Sequence, residues 1–494
     1  MPSIVATLIC VTGIAGLFYL NRYDGARGSK ALWIPTIWLF VISSKSVSFW
    51  LNVSPSYAVN ASAAYEEGSP VEQVVLTSLM VAALAVLFTR TDRTGSLLRK
   101  NGLLIAYFLF CLLSISWSDF PLVAFKRWNK SAIGDVSMIL VILTDSRPLA
   151  ALKRVFCRVG FLLFPLSELV IRYYPQIGRR PTNSYTLEPV GLADQKNSLG
   201  LDCLIYGVFF LWMFWSIYRE RDDPSRSRRL LVYGTIIAII VNLLSLCNST
   251  TSIVGLACSA AVVWVAMHPW RKPAVVHLAV LTVLGLSTFA IFGKSDMVET
   301  LGKSSTLSGR TVVWDLVLSR HTNPWIGTGF ESFWLGPRLE FMFHAIENLP
   351  INEAHNGYLE VYINLGWAGV CFIAALILAA YRRVILRWRQ NPRTASLILG
   401  FLLCTLFNAY TENAFRIMNP AWVIFLLVTI ATSQPDLFRS AAVTRPAQIS
   451  EIAGHEQTAY TPEGASPVPF LNSGIGFENE LDAAIEGRRD ETPR

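Results

Sequence analysis

Charge is the scarcest feature of this chain. Asp, Glu, Lys and Arg make up 15% of its 494 residues, where soluble domains carry about 25%. Hydrophobic residues make up 53%. That balance excludes a string of soluble domains. The period-two alternation of a membrane β-barrel is also missing, and apolar runs of roughly 17–25 residues point instead to helices that cross a bilayer. Basic residues are absent from the N-terminal stretch. Arg22 and Arg27 come only after an apolar run, so that run is expected to stay as a first helix rather than be cleaved as a signal.

Other absences remove whole classes of chemistry. The eight cysteines lie in or beside apolar runs with no Cys-x-x-Cys pair, which leaves neither a thiolate metal site nor a disulfide framework. His321, His344 and His355 lack helical i, i+4 pairing. Asp296, Glu299, Glu347 and Glu353 are scattered, and there is no Asp-x-Asp. No metal and no cofactor are therefore expected. Neither a Gly-x-Ser-x-Gly elbow nor a phosphate-binding P-loop occurs.

Eleven to thirteen crossings are expected, at about 3–20, 32–50, 71–89, 102–118, 131–145, 152–172, 198–218, 230–247, 251–267, 274–292, 357–381, 395–411 and 420–433. The predicted fold is an all-α polytopic membrane protein. Residues 1–433 form the transmembrane domain, 293–356 a large loop with short helices, and 434–494 a polar, disordered cytoplasmic tail. The net charge of +8 does not indicate nucleic acid, because the basic residues collect in alternate short loops. Arg90, Arg93, Arg99 and Lys100 follow the third crossing. Arg382, Arg383, Arg387, Arg389 and Arg393 follow the eleventh. Such loops face the cytoplasm. The segment Asn52–Pro70, without Lys or Arg, then lies outside, and so does 293–356.

Against that rule, the outward segments 119–130, 173–197 and 293–356 still carry Lys126, Arg127, Lys130, Arg172, Arg179, Arg180, Lys196, Arg310, Arg320 and Arg338. Either they touch lipid headgroups and local acids, or they bind an anion that arrives from the membrane. His355, where the long loop gives way to the next crossing, is either a capping residue or a base near neutral pH. Arg310 is either solvated or a fork for phosphate oxygens. Pro324-Trp-Ile-Gly-Thr-Gly329 is either a simple turn or a set of amides that approach an anion.

Four fragments occur in order: Arg310-x-x-x-Trp314, Pro324-x-x-Gly327-x-Gly329, His355-Asn356-x-x-Leu359 and Leu365-Gly366-x-x-Gly369. This set, preceded by Lys196-Asn197-x-x-Gly200, resembles the O-antigen ligase and Wzy-type polymerase superfamily over roughly residues 180–430. The resemblance implies a glycosyltransferase at the periplasmic face of the bacterial inner membrane. It would move a glycan from undecaprenyl diphosphate by inverting, metal-independent transfer. His355 would be the catalytic base. Arg310, Lys196, Asn356, Arg179, Arg180 and Glu353 would bind substrate. Ligases of this family often carry a further arginine in a Ser-Arg-Gly-like segment. The comparable Asn248-Ser-Thr-Thr-Ser252 has none, which favours the exopolysaccharide polymerase branch with Lys196 as second cation. The partners implied are an undecaprenyl-diphosphate-linked oligosaccharide, membrane lipids, a flippase and a chain-length regulator.

Two alternatives stand beside the polymerase. A ligase of the same fold would transfer to lipid A core. A polysaccharide or lipid transporter would need ionisable residues near mid-membrane in repeated halves. Asp135, Glu168 and Asp202 are candidates for those, but they form no repeat.

Overall fold

The computed structural model describes residues 1–22, 29–52, 69–181, 186–268, 272–292, 306–320, 322–345 and 351–439. The outer segment around Glu66 and Glu67, residues 293–305, His321, Glu347 and residues 440–494 lie outside the described residues. The expected tail begins with order. Pro435–Phe438 forms a helical turn with Leu437 and Phe438 buried.

All thirteen expected crossings fall on helix. In chain order the helices of eight residues or more are α1 (Ser3–Leu20), α2 (Trp33–Ile42), α3 (Pro70–Phe88), α4 (Thr91–Arg99), α5 (Gly102–Ser114), α6 (Pro121–Trp128), α7 (Val136–Leu143) and α8 (Pro148–Tyr173). They continue with α9 (Lys196–Tyr218), α10 (Arg226–Cys247), α11 (Thr250–Ala266), α12 (Pro273–Phe292), α13 (Thr306–Leu318), α14 (Gly336–His344), α15 (Gly357–Trp388), α16 (Pro392–Thr411) and α17 (Pro420–Ala431). Proline opens α3, α6, α8, α16 and α17, where its missing N–H breaks no helical bond. Among the described residues six helices are long and apolar enough to span a membrane. Helix α4 and the segment Gly102–Trp117 add a pair bent by 83°.

One expected crossing is interrupted and another is entered irregularly. The run 32–50 ends as a helix at Ile42, turns through buried Ser43, Ser44 and Lys45, and resumes only as the turn Val47–Trp50. The run 131–145 is entered through α6 and a π-helical stretch, Asn129–Asp135. Lys126, Arg127 and Lys130, expected on a loop, therefore sit on a continuous helical rod.

Burial sorts the helices into layers. Only 11% of the residues in the apolar windows of α1 and α3 are buried, against 83% in α9 and 94% in α16. A strongly apolar helix with an uncovered surface suits hydrocarbon, not water. Helix α9 packs on α10 and α11, α11 on α16, and α16 on α15 and α17, which puts α9 and α16 at the centre. The basic loops gather at one end of this bundle. Arg383 Nη1 and Nη2 donate to Asn101 Oδ1 and the Lys100 carbonyl, both at 3.1 Å.

Helix α15 is broken at Gly366, where φ is +62°. A break inside a membrane helix frees backbone groups that hydrocarbon cannot satisfy. The Pro324–Gly329 turn takes them up. Thr328 and Gly329 amides donate to the Ile363 and Asn364 carbonyls at 3.1 and 2.8 Å, while Trp367 and Ala368 amides donate to Pro324 and Trp325 at 2.8 and 3.1 Å. A Cβ on Gly366 would stand 2.2 Å from the Trp325 carbonyl carbon, and one on Gly327 would stand 2.4 Å from that of Asn364. These two motifs are thus the halves of one backbone clasp, and several of their amides are spent on the helix rather than offered to an anion.

The small antiparallel pair β1 (Arg179–Pro181) and β2 (Leu187–Pro189) precedes α9 and sets Arg180 opposite Glu188.

Candidate active site

Arg310 and Trp314 lie four residues apart on α13, so one helical turn puts both on one face. Trp314 Nε1 donates to the Ala354 carbonyl at 2.8 Å. The Ala354 amide donates to buried Glu360, whose other oxygen accepts from Trp334 Nε1 at 2.8 Å. The residue before His355 is thereby held on both sides. His355 itself has φ of +49°, a left-handed conformation that costs a side-chain-bearing residue roughly 1–2 kcal/mol. A separate apolar cluster that includes Val317, Phe333, Leu339, Met342 and Ile363 supports this part of the long loop.

The ring Nδ1 of His355 stands 3.1 Å from Glu353 Oε1 and 3.2 Å from Glu412 Oε2. Arg310 Nη2 lies 3.1 Å from Glu412 Oε1. Asn197 Nδ2 donates to that same oxygen at 2.9 Å. Arg416 Nη1 is 3.8 Å from Glu353 Oε2. Glu412 therefore joins the start of α9, the middle of α13, the approach to α15 and the end of α16.

The electrostatics change the expected role of the histidine. Burial alone would push the His355 ring down, but hydrogen bonds and charge from Glu353 and Glu412 outweigh it and raise the ring to about 10. Burial would likewise raise Glu353. The His355 hydrogen bond and the charges of His355, Arg416 and Arg310 instead hold it below the usual carboxylate range. The two carboxylates therefore favour the protonated ring at neutral pH. Ligand atoms of Glu353, His355 and Glu412 lie within 4.8 Å of one another, a spacing a metal ion could use. Arg310 and Arg416 already balance those carboxylates, so the chain supplies the positive charge itself.

One cavity adjoins the cluster, and a second shares part of its wall. The first, of about 430 Å³, is lined by Glu353, Glu412 and Arg416 together with Asp194, Asp202 and Asn413 among others. The second, of about 470 Å³, has the apolar walls Trp38, Leu76, Met80, Phe125 and Met138 and the cations Lys126, Arg127 and Lys130. Ile417 and Met418 line both.

The remaining sequence candidates fall outside this convergence. Lys196 pairs with Glu188, while its neighbour Asn197 joins the cluster. Asn356 caps α15, and its Oδ1 accepts the Tyr358 and Leu359 amides at 3.0 Å. Arg179 Nε donates to the Ile171 carbonyl at 3.1 Å. Arg338 pairs with Asp119 and Arg172 with Glu168. At Asn248–Ser252, where an arginine was missed, Gly200 lets α9 close on two serines. A Cβ there would stand 2.7 Å from Ser252 Oγ.

Sequence reasoning overlooked Glu412 and Arg416. Their signal was topological. The polar stretch 412–419 separates the last two crossings, and alternation from the basic loop 382–393 assigns it to the side of the long loop.

Residues 234–374 match the Wzy_C family model, described as O-Antigen ligase. The match includes Arg310 and His355 and stops before Glu412. No curated protein matches the chain.

Proposed function

On the premise that this chain carries an O-antigen ligase domain and is a multi-pass membrane protein, we propose that it is an exopolysaccharide polymerase. It joins undecaprenyl-diphosphate-linked repeat units at the periplasmic face of the inner membrane. The observation that carries this reading is the convergence of Arg310, His355, Glu353, Asn197 and Glu412 at a cavity that shares a wall, Ile417 and Met418, with a cationic, apolar-walled one.

A lipid-linked diphosphate suits that cavity, with hydrocarbon against its apolar walls and phosphate near Lys126, Arg127 and Lys130. The acceptor hydroxyl attacks the anomeric carbon from the face opposite the diphosphate. The new C–O bond forms as the bond to the diphosphate breaks, and the leaving oxygen keeps the electron pair. Arg310, the His355 imidazolium and Arg416 meet the developing negative charge, where preplaced cations lower the barrier most. The hydroxyl proton passes to a carboxylate of the cluster. Glu353 suits this because its Oε2 meets Arg416 only at 3.8 Å. His355 thus acts as a cation, and Glu353 moves from substrate binding to proton acceptance. The basic loops gathered at the far end of the bundle support a site on the outer face. A donor already carried on a lipid follows from that side, together with a flippase to deliver it and a chain-length regulator beside it.

The test is incubation of purified protein in lipid nanodiscs with an undecaprenyl-diphosphate-linked oligosaccharide. Longer lipid-linked glycans, lost in Arg310→Ala, are the expected result. Transfer to lipid A core without elongation would reassign the chain as a ligase. Passage across vesicles without any transfer would make it a transporter.

A further inference from the structure

The acidic cavity beside the cluster holds buried polar atoms that the reaction scheme does not use. Asp202, on α9, is 1% exposed; the Ser43 side chain acts on its carboxyl group, yet its Oδ1 has no hydrogen bond of normal geometry among the described residues. Asn408 and Asn413 are 3% and 8% exposed, and each likewise has an unpartnered Oδ1. All three line the same cavity. A buried acceptor without a donor is costly, and all three of these atoms are acceptors.

Acidic side chains outnumber basic ones in the wall of this cavity. Glu72, Asp194, Glu353 and Glu412 join Asp202 in lining it, and Arg416 is the cation that does so among the described residues. Some of this charge is met from outside the wall, since Lys45 and Arg180 act on Asp194 and Lys130 on Glu72. Asp202 has no such counterion acting on it. An anion placed here would face carboxylates at short range in a medium that screens poorly. Hydroxyl and amino groups would supply the donors that the three oxygens lack. The volume of about 430 Å³ falls in the range of pockets that enclose small ligands, about 300–1,000 Å³.

We propose that this cavity receives the acceptor sugar, that Asp202, Asn408 and Asn413 bind its hydroxyl or amino donors, and that it rejects sugars bearing an acid group. The proposal rests on the glycosyl-transfer reading and adds the class of sugar that the acceptor presents. Donor and acceptor are thereby kept apart by charge. The diphosphate is excluded from the acidic cavity and drawn to the cationic one, and the two meet at the shared wall of Ile417 and Met418.

Binding can be measured without turnover, by saturation-transfer NMR on the full chain in nanodiscs. The probes are neutral disaccharides of glucose, galactose and mannose, each paired with its uronate counterpart. At least one neutral disaccharide should bind about tenfold more tightly than its uronate partner, a difference of about 1.4 kcal/mol. Asp202→Ala and Asn413→Ala should each weaken neutral binding by about tenfold, as expected for a lost hydrogen bond to a sugar hydroxyl. Asp202→Asn should keep neutral binding, since the amide retains an acceptor oxygen. Melting temperature and elution profile identify any variant that fails to fold, and the wild-type comparison stands without the variants. Equal or tighter binding of every uronate, or no neutral binding at all, overturns the proposal. So does neutral binding unchanged in two folded alanine variants. Sugar binding without transfer from a lipid-linked donor would remove the polymerase reading and leave this site standing. Transfer without discrimination would do the reverse.

Discussion

Arg310 Nη2 lies 3.1 Å from Glu412 Oε1, although 102 residues separate the two in the chain. The pair ties the long loop to the end of a membrane helix. The same carboxylate holds His355 and Asn197, so two cations of the site, Arg310 and His355, are set through Glu412. Replacing Glu412 by Gln removes one of the two charges, with that of Glu353, that raise the His355 ring. The alkaline limit of activity should then fall to lower pH, with a loss of turnover of roughly tenfold or more, measured as elongation of the lipid-linked glycan. A profile that keeps its wild-type alkaline limit would separate Glu412 from the histidine.

Arg310→Ala should lower turnover about 10²–10³-fold, as for other preplaced groups that meet developing charge. Arg310→Lys should recover little, since an ammonium cannot reproduce the guanidinium fork. Rate constants under saturating donor distinguish this from a loss of affinity alone.

Lys196 and Arg416 make contrasting claims to be the second cation. Lys196 is paired with Glu188, and Arg416 lines the acidic cavity beside Glu353. Arg416→Ala should reduce elongation far more than Lys196→Ala. The opposite order would return the role to the residue that the motif suggested.

The pH dependence has two limits. Activity needs Glu353 ionised and His355 protonated. It should hold from mid-acid pH upward, because Glu353 lies below the usual carboxylate range, and decline as pH rises through about 10. The stability that His355 contributes has the same alkaline limit. Its folded value is raised, so the contribution is full below the ordinary value near 6.5 and is lost as pH climbs through about 10. The melting-temperature difference between wild type and His355→Ala should shrink over that window.

Chelation should leave elongation unchanged, because Arg310 and Arg416 balance the carboxylates around His355. Loss with EDTA and recovery with a divalent cation would assign the Glu353, His355 and Glu412 set to a metal.

Gly366→Ala should lower stability by about 1–3 kcal/mol through its left-handed backbone, with more from the approach of Trp325. Gly285→Ala meets nothing within 4 Å and should change stability by about 0.5 kcal/mol or less. Thermal unfolding in nanodiscs compares them.

Apolar run length alone determined the helices, because a backbone in hydrocarbon must satisfy its own hydrogen bonds. The exceptions were Ser43–Lys45 and the π-helical entry at Asn129–Asp135, where packing rather than hydropathy decides the break. Loop charge separated the basic loops from the long loop, and that separation survives in the contact of Arg383 with Lys100 and Asn101. Local sequence also marked Arg310, Trp314 and His355, since their spacing is set by one helix and one turn. Which residues meet was left to the tertiary structure. Only folding brings Glu412 and Arg416 to His355, removes Lys196 to Glu188, and buries Asp202 without a counterion. A charge is visible in sequence, but its counterion is chosen by distance, and here the distance is set by how α9, α13, α15 and α16 end against one another. In the proposed scheme that choice makes His355 a cation.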